Sequence, residues 1–183
     1  MKLSPTSFPG LFVVLPKVFQ DHRGFFMEFY SKKTYADQGL DLDFVQDNHA
    51  LSSSKGVLRG LHFQVPPMDQ AKLVRVTRGA VQDVVVDLRS DSPTYGKWFS
   101  IELSASNFKQ LLIPRGFAHG YLTLEENTEF QYKVDAFYDP ECERGIRYDD
   151  PGLKINWLEK TPILSDKDRN LPGLNEFESP FRL

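Results

Sequence analysis

Two apolar runs, Ala71 to Thr77 and Ala80 to Leu88, are separated only by Arg78-Gly79. No other feature of the chain constrains its fold as tightly, because so short a Gly-containing connection is a turn between two strands. Lys97 to Leu103 continues the pattern, with Trp98, Ser100 and Glu102 alternating against Phe99, Ile101 and Leu103, the period of a strand with two unlike faces. Gln110 to Ile113, Ala118 to Leu124 and Thr128 to Ala136 extend the series. Upstream, Leu11 to Leu15 and Gly24 to Tyr30 are short apolar runs with Asp21-His22-Arg23-Gly24 as a turn between them. Ser31 to Gly39 reads as a short helix, with Ser31 as N-cap and Gly39 just past its end. Short strands at this spacing predict a mainly β sandwich or jelly-roll barrel with short flanking helices. From Tyr138 onward Asp, Pro, Glu and Arg dominate, so 138–183 is expected to form loops and short helices packed on the barrel. Residues 1–183 are then read as one domain.

The net charge of -3 argues against a broad nucleic-acid or membrane surface. It leaves room for a small anionic ligand held by a few converging Arg and Lys. The one cysteine, Cys142, excludes an internal disulfide and a CxxC pair, and its neighbours Glu141 and Glu143 mark it as a spectator thiol. No run approaches the length of a membrane span, and the N-terminus lacks the apolar core of a signal peptide, so a cytoplasmic protein is expected.

Chemistry concentrates in Val57-Leu58-Arg59-Gly60-Leu61-His62-Phe63-Gln64. Read at period two, Leu58, Gly60, His62 and Gln64 share one face of a strand and Arg59, Leu61 and Phe63 the other. A titratable ring on an inward face is either a core His bonded to a backbone carbonyl or a working acid or base. A second such His lies in Pro114-Arg115-Gly116-Phe117-Ala118-His119-Gly120. Its Pro-x-Gly-x-x-His spacing resembles the second motif of the cupin superfamily, whose fold is a small jelly roll. Metal-binding cupins also carry His-x-His, and here the position two before His62 is Gly60. With only His22, His49, His62 and His119 available, no metal site is expected.

A longer set of motifs recurs in order from about Asp21 to Pro172: Asp21-x-Arg23-Gly24-x-Phe26-x-Glu28, Phe44-x-Gln46-x-Asn48, Arg59-Gly60-Leu61-His62, Gln70-x-Lys72-Leu73-Val74 and Asp83 to Arg89. Ser92-Pro93-Thr94-Tyr95-Gly96, Pro114 to Gly120, Tyr132-Lys133, Tyr138-x-Pro140, Glu143-x-Gly145-Ile146, Asp149-Asp150-Pro151 and Ser165-x-Lys167-Asp168 follow. Together they resemble the dTDP-4-dehydrorhamnose 3,5-epimerases, metal-free cupins of nucleotide-sugar metabolism. The resemblance implies an isomerase that acts on dTDP-4-dehydro-6-deoxy-D-glucose without a cofactor, in dTDP-L-rhamnose synthesis for surface glycans such as O antigen. It also implies a homodimer in which N-terminal strands, about 1–30, sit in the interface and are exchanged.

The resemblance gives residues roles. His62 matches the base, Asp168 the carboxylate that orients it, Lys72 the cation near the enolate and Tyr132 the acid on the opposite face. Arg23 and Arg59 are implied diphosphate ligands, helped by Lys167 or Arg169. Phe26 and Tyr138 flank thymine or sugar, Glu28, Gln46, Asn48 and Glu143 supply polar contacts, and His119 touches the sugar or supports the site. Lys133 should point away from Tyr132. Inward-pointing Lys72 and Asp83 are expected to pair, making Asp83 a structural support. Arg59 leaves the face of His62 in an ideal strand, so a bulge, a twist or a site spanning both faces is expected there. Ala50 and Phe63 stand where Ser and Tyr are common in the family, which touches fine specificity and not the base, its Asp, the Lys or the acid. The alternatives are an epimerase restricted to C3 or C5, a non-catalytic sugar-binding cupin, and a metal-dependent dioxygenase cupin, which the missing His-x-His disfavours.

Overall fold

The computed structural model describes residues 1–183. In chain order its elements are β1 (Lys2–Pro5), β2 (Phe12–Leu15), β3 (Val18–Asp21), β4 (Gly24–Met27), α1 (Lys32–Ala36), β5 (Gln46–Ser52), β6 (Leu58–Gln64) and β7 (Lys72–Arg78). They continue with β8 (Ala80–Asp87), β9 (Trp98–Ser104), β10 (Gln110–Ile113), β11 (Phe117–Thr123), β12 (Thr128–Val134), β13 (Glu143–Gly145) and α2 (Asp166–Arg169). One sheet runs β1-β2-β10-β7-β12-β5 and the other β13-β6-β11-β8-β9, while β3 and β4 pair only with each other. The two sheets form the jelly-roll sandwich of a cupin.

The Arg78-Gly79 turn is present, with Gly79 at φ +76, a conformation open to glycine at little steric cost. Its consequence differs from that of a hairpin: β7 pairs with β10 and β12, and β8 with β11 and β9. The turn carries the chain from one sheet to the other.

Three apolar clusters follow from the layers. Between the sheets, Val74, Val76, Leu111, Ile113 and Phe130 meet Val81, Val85, Leu103 and Phe117. Behind the second sheet, Leu61, Phe63, Val84 and Val86 are covered by Ile146, Leu153 and Phe181 of the C-terminal segment. Strand β8 is therefore buried along its whole length, which explains its continuous Val84-Val85-Val86. On the outer face of the first sheet, Tyr35 of α1 packs on Val14, Leu73 and Leu112. The Ser31 side chain caps α1, and Gly39 beyond it has φ +81.

The segment from Tyr138 is loop and short helix, as its composition suggests, apart from one strand. Glu143–Gly145 adds to the edge of β6 as β13, in the register Glu143↔Gln64 and Gly145↔His62. These residues have little strand character of their own, so the exposed edge of β6 supplies the template. No helix is long and apolar enough to cross a membrane.

Candidate active site

A cleft of about 580 Å3 opens between the inner faces of β5, β7 and β12 on one side and β6 and β11 on the other. His62 lines it from β6. Two ladders flank that strand: Gly145 of β13 stands opposite His62 on one side and His119 of β11 on the other. The β6–β11 register slips between His119 and Tyr121, so that Tyr121 meets Arg59 and His119 meets His62. Three steps along β6 thus match two along β11, the signature of a bulge. It turns Arg59 into the cleft beside His62, as the spacing of the two side chains required. Gly60 makes the bulge possible: its φ is +126, and a Cβ there would sit 2.5 Å from the Gly120 Cα.

His62 Nε2 lies 2.6 Å from Asp168 Oδ1. Asp168 comes from α2, a single turn capped by Ser165, whose hydroxyl accepts the Asp168 amide proton at 3.1 Å. Its side chain is only 4% exposed. Burial alone would raise its pKa, yet hydrogen bonds from His62, Ser165 and the Gly60 amide hold the carboxyl below its ordinary range. The pair therefore fixes the ring with Nε2–H donating to carboxylate and Nδ1 as the acceptor nitrogen.

Lys72 opens β7 and is buried in the cleft wall. Burial drags its ammonium down to about 8, against the opposing pull of Asp83 and Glu143. The expected Lys72–Asp83 ion pair is not formed. Strands β7 and β8 lie in different sheets, and Asp83 Oδ2 instead takes His119 Nε2 at 2.9 Å, from the neighbouring strand β11. Asp83 Oδ1 is left buried without a partner.

Tyr132 enters from β12, with Asn48 opposite it on β5. Burial first, and then the charge of Glu143, push its phenol up. Lys133 faces away, as expected, and binds Asp47 Oδ1 at 2.8 Å. Along the rim, Tyr138 donates its hydroxyl to Glu143 Oε2 at 2.9 Å and its amide to Gln46 Oε1 at 3.2 Å. Gln46 in turn donates to Asn48 Oδ1. Lys167 Nζ closes on the same Glu143 oxygen at 2.5 Å.

Four of the sequence-predicted residues lie elsewhere. Arg169 turns to solvent and pairs with Asp166 at 3.5 Å; with a single helical turn, Lys167 and Asp168 take the cleft face and Arg169 cannot share it. Arg23, Phe26 and Glu28 belong to or follow the β3–β4 hairpin. Arg23 pairs with Asp21 at 2.6 Å, Phe26 is 71% exposed and Glu28 accepts from Thr34 Oγ1. None of them lines the cleft.

Of the cleft residues to which the sequence assigned no role, three shape the site through their polar groups. Tyr121 stacks on Phe130 at 4.0 Å and 12°, with its hydroxyl pushed up to about 12 by burial. Its position two residues after His119 on a strand was the available signal. Gln64 donates to the Met68 and Phe137 carbonyls and accepts from the Asp139 amide, tying two rim loops to β6. Ser165, the cap of α2, is the third. No group of three or more His, Cys, Asp or Glu side chains is gathered for a metal ion. Chemically, the cleft combines a carboxylate-oriented imidazole, a buried ammonium and a buried phenol, a set suited to moving a proton on and off a carbon next to a carbonyl.

A family described as dTDP-4-dehydrorhamnose 3,5-epimerase matches residues 5–176. The dTDP-4-dehydrorhamnose 3,5-epimerase of Shigella flexneri is 50% identical over 171 residues, which span 93% of this chain and 94% of that relative. A crystal structure of dTDP-4-dehydrorhamnose 3,5-epimerase from Bacillus anthracis, with TDP and PPi bound, is 48% identical with a TM-score of 0.93, covering 94% of this chain and 99% of that one. Another, dTDP-6-deoxy-D-glucose-3,5-epimerase from Legionella pneumophila in complex with dTDP-4-keto-L-rhamnose, is 42% identical with a TM-score of 0.94 and covers 100% and 98%.

Proposed function

The chain belongs to the dTDP-4-dehydrorhamnose 3,5-epimerase family, and from that premise we propose how its cleft residues divide the reaction. The activity is isomerisation: dTDP-4-dehydro-6-deoxy-D-glucose is inverted at C3 and C5 to dTDP-4-dehydro-L-rhamnose. The C4 ketone acidifies the protons on both carbons, since loss of either leaves an enolate. Neutral His62 takes the proton through its free ring nitrogen and becomes an imidazolium beside the Asp168 carboxylate. The Lys72 ammonium stabilises the charge on the ketone oxygen. Tyr132 returns a proton to the opposite face of the carbon, and its phenolate regains one from solvent or from the imidazolium. Arg59 and Lys167 hold the diphosphate, Tyr138 flanks thymine, and Gln46, Asn48, Glu143 and His119 orient the sugar.

The single observation that carries this division is the 2.6 Å His62–Asp168 contact inside a cleft that also holds Lys72 and Tyr132. Proton NMR of the substrate in D2O tests it. Wild-type protein is expected to place deuterium at both C3 and C5 with inversion. Tyr132→Phe is expected to keep exchange on the base's side and lose inversion by about 10²- to 10³-fold. Deuterium at one carbon only would mark a restricted epimerase. Inversion at the wild-type rate in Tyr132→Phe would remove Tyr132 from its role.

The protein is proposed to work in the cytoplasm as a homodimer, supplying the donor of surface glycans such as O antigen. The support for a dimer is the β3–β4 hairpin, which pairs with no other strand and exposes Phe19, Phe25 and Phe26. Such an apolar projection fits a second copy of the chain. Exchange of this hairpin between subunits would bring Arg23, Phe26 and Glu28 to the partner's cleft. Light scattering at micromolar concentration should give twice the chain mass of 21.0 kDa; a monomer would overturn the arrangement. Arg23→Ala and His62→Ala proteins, each impaired alone, should recover about a quarter of wild-type turnover when subunits are mixed, because each mixed dimer regains one intact cleft.

A further inference from the structure

Glu143 stands where the cleft's charges meet. Strand β13 adds to the edge of β6 with Glu143 opposite Gln64 and Gly145 opposite His62, so Glu143 sits one strand over and two residues along from the base. Its side chain is only 21% exposed, and its Oε2 is held from two sides, by Lys167 Nζ and by the Tyr138 hydroxyl. Those contacts fix the carboxylate on the wall that carries His62, facing Lys72 and Tyr132 on the opposite sheet.

We infer that Glu143, beyond any contact with the sugar, is a positioning residue for charge: its fixed carboxylate keeps the buried Lys72 ammonium protonated and the Tyr132 phenol undissociated. The inference rests on the roles given above to Lys72 and Tyr132. A negative charge in this place acts in the same direction on every group around it. It favours the Lys72 ammonium against burial, it opposes loss of the Tyr132 proton, and it and a protonated His62 stabilise each other. The reaction needs all three protonated forms at some stage.

The other charges near Lys72 do not replace it. Asp83, from β8, attracts Lys72 more strongly, but its one bonded oxygen is taken by His119 of β11. From α2, Asp168 is committed to His62. Lys167 of the same turn and Arg59 of β6 are cations and oppose the ammonium. His62 and Tyr132 add no negative charge in the resting state. Glu143 is the one remaining anion in the cleft, and burial, which alone would neutralise it, is outweighed by the hydrogen bonds from Lys167 and Tyr138.

The test follows the titration of Lys72 by side-chain NMR, together with the pH profile of kcat, in wild type, E143Q and E143D. In E143Q the Lys72 midpoint, near 8 in the wild type, should fall by about 0.5 pH unit. The alkaline limb of kcat should move with it. E143D keeps the charge and should restore both. A Lys72 midpoint that stays in place in E143Q overturns the inference, even where KM rises, because a residue that only holds substrate changes KM without moving that titration. A midpoint that falls while the limb of kcat stays put upholds the role of Glu143 and removes Lys72 from the chemistry, so the two readings fail separately.

Discussion

His62→Ala is expected to lower kcat by about 10²- to 10⁴-fold, the span that a positioned general base contributes, while dTDP-sugar binding changes little. The side-chain hydrogen bond of the ring goes to Asp168 Oδ1, and the groups proposed to hold the nucleotide, Arg59, Lys167 and Tyr138, keep their own anchors on Ser52, Glu143 and Gln46. Binding and chemistry should therefore separate: calorimetry with the dTDP-sugar reads one, deuterium uptake at C3 and C5 the other. Loss of uptake at both carbons would mean that one base serves both. Uptake surviving at one carbon would require a second base in the cleft, and wild-type uptake at both would end the assignment. Asp168→Asn should lose roughly 10²- to 10⁴-fold as well, since an amide can hold the ring in the wrong tautomer and cannot stabilise an imidazolium. The stability of this variant carries a further sign. Asp168 is more acidic folded than unfolded, so its carboxylate contributes stability above the unfolded value that is lost as pH falls through the folded one. Asp168→Asn should accordingly be less stable than wild type at neutral pH, with the gap closing toward strong acid.

How much of this was legible in the sequence depended on whether a signal was local. His62 could be singled out because a titratable ring on an apolar strand is uncommon, and Gly60 beside it allowed the bulge that brings Arg59 round. The α1 boundaries were written in Ser31 and Gly39. Strand β5 was not legible: Gln46 and Asn48 face the cleft, so the inner face that alternation should reveal as apolar is polar for functional reasons. The pairing partners of β7 and β8 were hidden too, because strand order in a sandwich is set by non-local contacts and the same tight turn serves a hairpin or a sheet-to-sheet corner. Asp168 carried no signal of its own in Asp166-Lys167-Asp168-Arg169, where four charged side chains look alike. Only the family motif distinguished it, and only the phase of α2 relative to its Ser165 cap excluded Arg169. The Lys72–Asp83 pair failed for a related reason. Inward orientation of both residues was right, but orientation does not fix distance between two sheets, and His119 was the closer partner for Asp83.

Lys72→Met is expected to stabilise the fold and disable the enzyme at once. A buried ammonium brought from 10.5 to about 8 costs roughly 3 kcal/mol of folding free energy at neutral pH, even after the attraction of Asp83 and Glu143 is counted. Methionine has nearly the same length, needs no counter-charge and packs among the apolar neighbours of β7. The sign of the pH dependence distinguishes this cause from simple repacking. Lys72 binds its proton less tightly folded than unfolded, so between about pH 8 and 10.5 the unfolded chain holds more protons and the wild type gains stability as pH rises. The advantage of Lys72→Met should be full below pH 8, shrink across that window and vanish above it, which melting curves at a series of pH values will show. A variant less stable than wild type at pH 7, or an advantage that does not change with pH, would contradict the charge penalty. Turnover should move the other way. Without the ammonium the enolate oxygen faces an apolar wall, and kcat should fall about 10²- to 10³-fold. The wild type should show the same dependence as an alkaline limb, kcat declining above about pH 8 as Lys72 loses its proton. An interaction that costs the folded state stability yet is kept in the cleft wall is what a group retained for the transition state should look like, and the opposite signs of the two measurements make that claim open to refutation by either one.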